Sequence, residues 1–364
     1  MRNTTKRLLL ATAVVAVVAA TAGCSGSGSG DDQGGNQSTG AAGTKEVVLV
    51  TYDAYALPEG AAAAFKEQTG ATIKVVAAGD SGAMLSKALL SAGSPEGDVL
   101  FGVDNLSAPT ALKNDLLVPY SPPSLASVPE RFRLRGAAGK RLVPVDAGDV
   151  CVNVDAKWFA DKGVAPPTSL EDLTLPQYKD LLVIESPVTS SPGLALLAGT
   201  VGRYGEDDAF DGFWTRLKAN GVRVRPSWDD AYFTDYTVSG GDRPLVLSYA
   251  TSPPAEVVLS EGARTEPQST VLVDSCAAQV EYAGVLRGAP HPELARQLVA
   301  FMLSPAWQAD LPLSNYVLPV VDGVTLPAEF QKWAVRAPSP MSAPAEQVAD
   351  RRDEWVERWR NLFE

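Results

Sequence analysis

Residues 45–105 read KEVVLVTYDAYALPEGAAAAFKEQTGATIKVVAAGDSGAMLSKALLSAGSPEGDVLFGVDN, and the alternation of patterns along them decides the fold class. Residues 45–52 are an apolar run behind Lys-Glu, as in a buried strand, and residues 57–69 read as a helix stopped by Gly70. Residues 71–77 are a second strand, 83–91 a helix ending near Gly93, and 98–103 a third strand. Strand, helix, strand, helix, strand implies right-handed crossovers and a parallel sheet, so the class is α/β. Such sheets bind ligands beyond the carboxyl ends of their strands. There the loops carry Tyr52 and Asp53, then Asp80 and Ser81, then Asp104 and Asn105. A single Asp in that place is ordinarily a helix N-cap. Three in succession beside aromatic residues point to a rim that takes a cation or hydrogen-bond donors.

Further along, residues 227–254 gather Trp228, Asp229, Asp230, Tyr232, Phe233, Tyr236 and Tyr249 in a chain that is only 7% aromatic. Residues 245–248 form a short buried strand entered through Gly240, Gly241 and Pro244 and left through Ser252, Pro253 and Pro254. Tyr249, Thr251 and Ser252 at its end are therefore candidate cleft residues, with Trp228 as the facing wall. Residues 189–193, Thr-Ser-Ser-Pro-Gly, open a helix. Ser190 and Ser191 there offer either an anion site at its positive end or a simple cap. Residues 150–154 read as a segment crossing between two lobes, and residues 277–286 as the return. Trp214 lies on the inward face of an amphipathic helix, and Trp355 and Trp359, four residues apart, staple a charged terminal helix over residues 344–362 to the body.

The chain opens with a basic stretch and a short apolar run, the pattern of a secretory leader over residues 1–23. The run ends Thr-Ala-Gly-Cys, which resembles a bacterial lipobox and makes Cys24 the expected site of lipidation and membrane anchoring. Gly and Ser then dominate residues 24–43, a flexible tether. Of the three cysteines this leaves Cys151 and Cys276, expected to pair in an oxidising compartment, the alternative being two separate buried thiols. With 31 basic and 43 acidic residues, nucleic acid is not an expected partner. The length predicts two lobes, with residues 44–147 beginning the first, 148–276 forming the second, and 277–364 returning to the first and ending in the C-terminal helices. No G-x-S-x-G, Walker loop, H-E-x-x-H or C-x-x-C is present, and the lone His291 offers no metal spacing and little basis for a triad, so neither enzyme, cofactor nor metal is expected.

Six stretches together carry a family resemblance: Val-Thr-Tyr-Asp at 50–53, Gly-Val-Asp-Asn at 102–105, Thr-Ser-Ser-Pro-Gly at 189–193, Ser-Trp-Asp-Asp-Ala-Tyr at 227–232, Val-Leu-Ser-Tyr-Ala-Thr-Ser-Pro at 246–253 and Ser-Asn-Tyr-Val-Leu-Pro-Val at 314–320. In these the chain resembles the solute-binding components of ABC importers, and within them the thiamine-binding branch. The resemblance implies a two-lobed fold of the periplasmic-binding-protein kind (type II-like), each lobe a mostly parallel sheet flanked by helices. It also implies a monomer that closes on thiamine or a thiamine phosphate and delivers it to a permease driven by a separate ATPase. Carried over by position, Tyr52, Asp80, Trp228 and Tyr249 would touch the ligand, and Ser190 and Ser191 a phosphate. Leu57 and Pro58, Ala255 and Tyr316 stand where the family can carry other aromatics. Tyr52, Trp228, Tyr249 and Tyr316 could face a thiazolium cation, and Asp53, Asp80 or Asp104 could accept from the aminopyrimidine. Another small cation, a polyamine or ferric iron, is the alternative ligand, and an extracellular enzyme on the same fold the alternative function.

Overall fold

The computed structural model describes residues 45–363. The expected leader, Cys24 and the tether lie outside the described residues. From Lys45 the chain follows the alternation in its sequence: β1 (Lys45–Thr51), α1 (Glu59–Thr69), β2 (Ala71–Ala77), α2 (Ser81–Leu90), β3 (Val99–Asp104), α3 (Ala108–Lys113) and β4 (Val143–Ala147). Gly70 ends α1 in the left-handed region at φ 71°, where its N–H closes on the Lys66 carbonyl.

Two residues, Gly148 and Asp149, then carry the chain into a second sheet through β5 (Val150–Asp155), followed by α4 (Ala156–Lys162), β6 (Leu182–Glu185), α5 (Ser191–Tyr204), α6 (Asp208–Ala219) and β7 (Arg223–Arg225). A π-helix at Asp230–Asp235 precedes β8 (Leu245–Tyr249), α7 (Ser252–Leu259) and β9 (Ser269–Ala277). Ala278 and Gln279 bring the chain back to the first sheet as β10 (Val280–Val285), with α8 (Pro292–Phe301), α9 (Pro305–Ser314) and the two-residue β11 (Leu318–Pro319). The remaining helices are α10 (Ala328–Trp333) and α11 (Ala345–Phe363).

The first sheet has the order β11-β4-β10-β3-β1-β2 and the second β7-β6-β8-β5-β9. In the first, β2, β1, β3 and β4 run one way while β10 and β11 are reversed; in the second only β5 is reversed. The sheets are thus mostly parallel. The reversed β5 and β10 are the strands by which the chain enters each sheet from the other.

The crossings are stitched side by side. Gly148 N–H donates to Gln279 O at 3.1 Å and Ala250 N–H to Asp149 O at 2.9 Å. A third strand of chain joins them, because Met341 N–H donates to Cys276 O at 2.7 Å, Ala278 N–H to Met341 O at 3.2 Å, and Ala337 N–H to the Asp149 carboxylate at 3.1 Å. Cys151 and Cys276, buried on adjacent strands, are bonded to each other with Cα atoms 4.1 Å apart.

The terminal helix joins the second lobe. α11 packs on α5 and α6, and its Val348, Trp355 and Trp359 belong to the core of the second lobe. Trp359 meets Trp214 edge to face at 6.2 Å, and both are buried. The apolar stripe on α11 needed a large apolar surface, and α6, with Phe210, Phe213 and Trp214 inward, supplies it. The segment after β10 therefore divides, its first part completing the first lobe and its last part the second.

Closing a loop of 125 residues, the Cys151–Cys276 bond is expected to stabilise the fold by about 2 to 5 kcal/mol. Alkylation of the unfolded protein should label neither cysteine without reductant and both with it, read by intact mass, and the double Cys→Ser variant should unfold at a lower denaturant midpoint. Labelling of both without reductant would contradict the bond.

Candidate functional site

A cavity of about 260 Å³ lies between the lobes. The first lobe contributes the loop after β1 (Tyr52, Asp53, Ala54, Ala56), the start of α2 (Asp80, Ser81), Glu281 of β10 and residues 314–317. The second lobe contributes Ser191 and Pro192 at the start of α5, residues 227–229, Tyr232, Phe233, Tyr249, Thr251, Ser252, Ala255 and Leu259. Helices α2, α5 and α7 thus point their N-terminal ends, where backbone N–H groups lack helical partners, towards one space.

Each expected residue takes a definite place. Asp53 lines the cavity and accepts the Gly79 N–H at 2.8 Å. Asp80 does two things at once: Oδ1 caps α2 by accepting the Ser81 N–H at 2.6 Å, and Oδ2 accepts the Trp228 N–H from the opposite lobe at 3.0 Å. Beside it Gly82 N–H donates to Thr189 O at 2.9 Å, also across the lobes. A Cβ on Gly82 would sit 2.8 Å from the Thr189 backbone, so this approach requires glycine. The lobes are therefore closed on one another along one rim of the cavity.

Trp228 is half-buried, donates its indole N–H to Ser248 Oγ at 2.9 Å and stacks on Tyr232 with centroids 4.8 Å apart at 19°. The π-helix, a conformation often found at functional sites, sets Tyr232 and Phe233 around it. Tyr316 lines the cavity with its backbone in the left-handed region, φ 58°. Its neighbour Asn315 fixes the loop, accepting from Ala56 N–H at 3.0 Å and donating to Ala56 O at 2.8 Å.

Two expected residues are placed elsewhere. Asp104 is buried and does not line the cavity; its carboxylate accepts the N–H groups of Leu106 at 2.9 Å and Ser107 at 2.6 Å in the turn that leads into α3. Ser190 is buried outside the lining and Ser191 lines it, and the buried hydroxyl of each has no partner. Sequence reasoning singled out Asp229, Tyr232 and Phe233 in their cluster without assigning them to the site, and missed Glu281 and Asn315 as lining residues. A lone acid within the apolar run Val-Glu-Tyr-Ala-Gly-Val was a signal for Glu281.

The electrostatics are one-sided. No Lys, Arg or His is among the described residues lining the cavity, while Asp53, Asp80, Asp229 and Glu281 are. Burial holds the Asp80 carboxyl above its usual range despite its hydrogen bonds, and raises Asp229, with Asp80 and Asp53 adding repulsion. Tyr52 donates its hydroxyl to Glu281 Oε2 at 3.0 Å. Burial pushes Glu281 up to about 8 and its cross-strand neighbour Asp146 well above the usual carboxylate range. Glu185, buried at the end of β6 with neither oxygen partnered, is raised for the same reason. Acids crowded into a dry space hold protons until a positive charge balances them. Among the described residues no group of three or more His, Cys, Asp or Glu is placed to hold a metal ion.

Residues 97–338 match the model of a family described as bacterial extracellular solute-binding protein. A thiamine-binding periplasmic protein of Escherichia coli (strain K12) is 31% identical over 319 residues, covering 86% of this chain and 92% of that one. Another of that name, from Brucella melitensis, is 28% identical over 328 residues, covering 86% and 91%. A solved structure titled periplasmic thiamin binding protein superposes with a TM-score of 0.73 at 28% identity, covering 88% of this chain and 96% of that one. These relatives are solute-binding proteins, not enzymes.

Gly82→Val is expected to hold the lobes apart, since any side chain there meets the Thr189 backbone. Small-angle scattering should give this variant a larger radius of gyration than the wild type; an equal radius would show that the two lobes do not rely on this contact.

Proposed function

The chain belongs to the bacterial extracellular solute-binding proteins, and from that premise we propose that it captures thiamine or a thiamine phosphate between its lobes for delivery to a membrane permease driven by a separate ATPase. The observation that carries this reading is the cavity's composition: aromatic rings and four carboxyl groups, with no basic residue among its described lining. Its volume, about 260 Å³, approaches the lower end of small-molecule sites, about 300 to 1,000 Å³.

Thiamine joins a fixed thiazolium cation to a flat aminopyrimidine, and each half has matching chemistry here. The faces of Tyr52, Trp228, Tyr249 and Tyr316 offer a cation roughly 0.5 to 2 kcal/mol each. Asp53, Asp80 and Asp229 can accept from an exocyclic amine. The unpartnered Ser191 hydroxyl at the start of α5 suits a phosphate oxygen, which would add the phosphorylated forms to the ligand class. The names of the relatives support the same ligand. Polyamines meet the same rings and acids and are the competing ligand class. Lipidation at Cys24 would keep the protein, as a monomer, at the outer face of the cell membrane.

Mass spectrometry of denatured protein as purified should release thiamine or a phosphate ester of it, and calorimetry should show one site for thiamine. Trp228→Ala should cost about 2 to 4 kcal/mol of that binding, as large aromatic contacts do. Its stability loss should stay below the roughly 3 to 5 kcal/mol of a core tryptophan. Normal affinity in a destabilised protein would assign Trp228 to the core instead. Saturating thiamine should also reduce the radius of gyration, and an unchanged radius would mean that the cavity is preformed.

A further inference from the structure

We propose that Glu281 is the residue that senses positive charge in the ligand: it lines the cavity from the middle of a row of three buried acids on adjacent strands, and it releases a proton to solvent as a cation enters. The inference rests on reading the cavity as a cation site, and it adds a proton to the binding equilibrium.

The row is set by strand register. Glu281 on β10 pairs with Asp104 on β3 at one side and with Asp146 on β4 at the other. All three are at most 4% exposed. Asp104 spends its carboxylate on the Leu106 and Ser107 N–H groups, and Arg352 helps to hold its charge. Asp146 has one oxygen without a partner. Glu281 alone of the three reaches the cavity, where it meets the Tyr52 hydroxyl at 3.0 Å and Gln279 Nε2 at 3.5 Å; the same amide lies 3.4 Å from the Tyr249 hydroxyl. The other titratable groups that act on it are Asp80 at the start of α2, and Tyr52 and Tyr249, whose phenols burial keeps neutral. Asp146 keeps its own proton and shares it with Glu281, while burial and the nearby Asp104 and Asp80 carboxylates hold a second proton on Glu281 until a counter-charge arrives.

This arrangement fixes the direction of the effect. With no counter-charge facing it, the Glu281 carboxyl is held high by burial. A bound cation favours its ionised form and lowers that value. Binding therefore releases a proton in the interval between the two values, and affinity rises with pH up to the ligand-free value and levels off above it.

Calorimetric titration of ligand-free protein with thiamine, in buffers of differing protonation enthalpy between about pH 6 and 8, reads both quantities. The expected result is release of up to one proton and an affinity that rises by at most about tenfold per pH unit. Glu281→Gln should release none and bind with a flat, weak profile near the wild-type value at low pH. Asp104→Asn, which removes a charge that raises Glu281 and lies outside the cavity lining, should retain the pH dependence but move it to lower pH, which a merely structural role would not do. Thiamine binding by the wild type with no proton release and the same affinity across this range overturns the proposal and leaves the thiamine reading intact. If thiamine does not bind but spermidine does, with proton release, the ligand reading fails and the role of Glu281 stands. If neither binds, both fail.

Discussion

The arrangement of the molecule depends on how the chain passes between its two sheets. Each of the first two passages has only two linking residues, Gly148 and Asp149 in one and Ala278 and Gln279 in the other, and backbone hydrogen bonds tie them together. So short a span leaves little freedom of direction. The lobes can rotate about the stitched girdle but cannot slide apart. The Cys151–Cys276 bond joins β5 and β9 beside that girdle and restricts motion within the second sheet rather than between the sheets. This is why Asp80 of one lobe meets the Trp228 N–H of the other and a cavity of fixed composition forms between them.

Within that cavity a second constraint operates. Negative groups are placed where water is scarce and basic residues are absent from the described lining. Burial favours the protonated forms of Asp80, Asp229 and Glu281 there. A cation with aromatic character relieves the crowding, whereas an anion must rely on the helix N-termini alone. Under the proposed function, selectivity would come from the balance of charge as well as from shape.

Much of the first lobe was legible because its strands are continuous apolar runs between clear breakers. Residues 71–77 form a strand with the expected limits, and Gly70 stops α1 where its left-handed conformation is needed. The cleft was legible in outline, since Tyr52, Asp80, Trp228, Tyr249 and Tyr316 all line one cavity. Asp104 was not separable from Asp80 by sequence: both lie at the carboxyl end of a strand and accept N–H groups from the residues just beyond them, and only the packing decides which also faces the opposite lobe. The Ser-Pro-Pro after β8 reads as an exit from structure, yet prolines suit the first turn of a helix, and α7 begins there. The π-helix around Tyr232 and the left-handed Tyr316 leave no local pattern to read, because tertiary contacts hold them. The terminal helix declared its apolar stripe plainly but not its partner.

That partner has a consequence for how the protein is made. The core of the second lobe is not filled until Trp355 and Trp359 reach Trp214, and the first sheet has no middle until β10 inserts between β3 and β4. A chain emerging from its N-terminus therefore cannot complete either lobe on its own until most of its length is out. Cys151 likewise waits for Cys276. Completion of both lobes is therefore expected late in synthesis, since contacts so distant in sequence form slowly. For a member of an extracellular family, such a delay would keep the chain threadable for export and would defer its oxidation to an oxidising compartment.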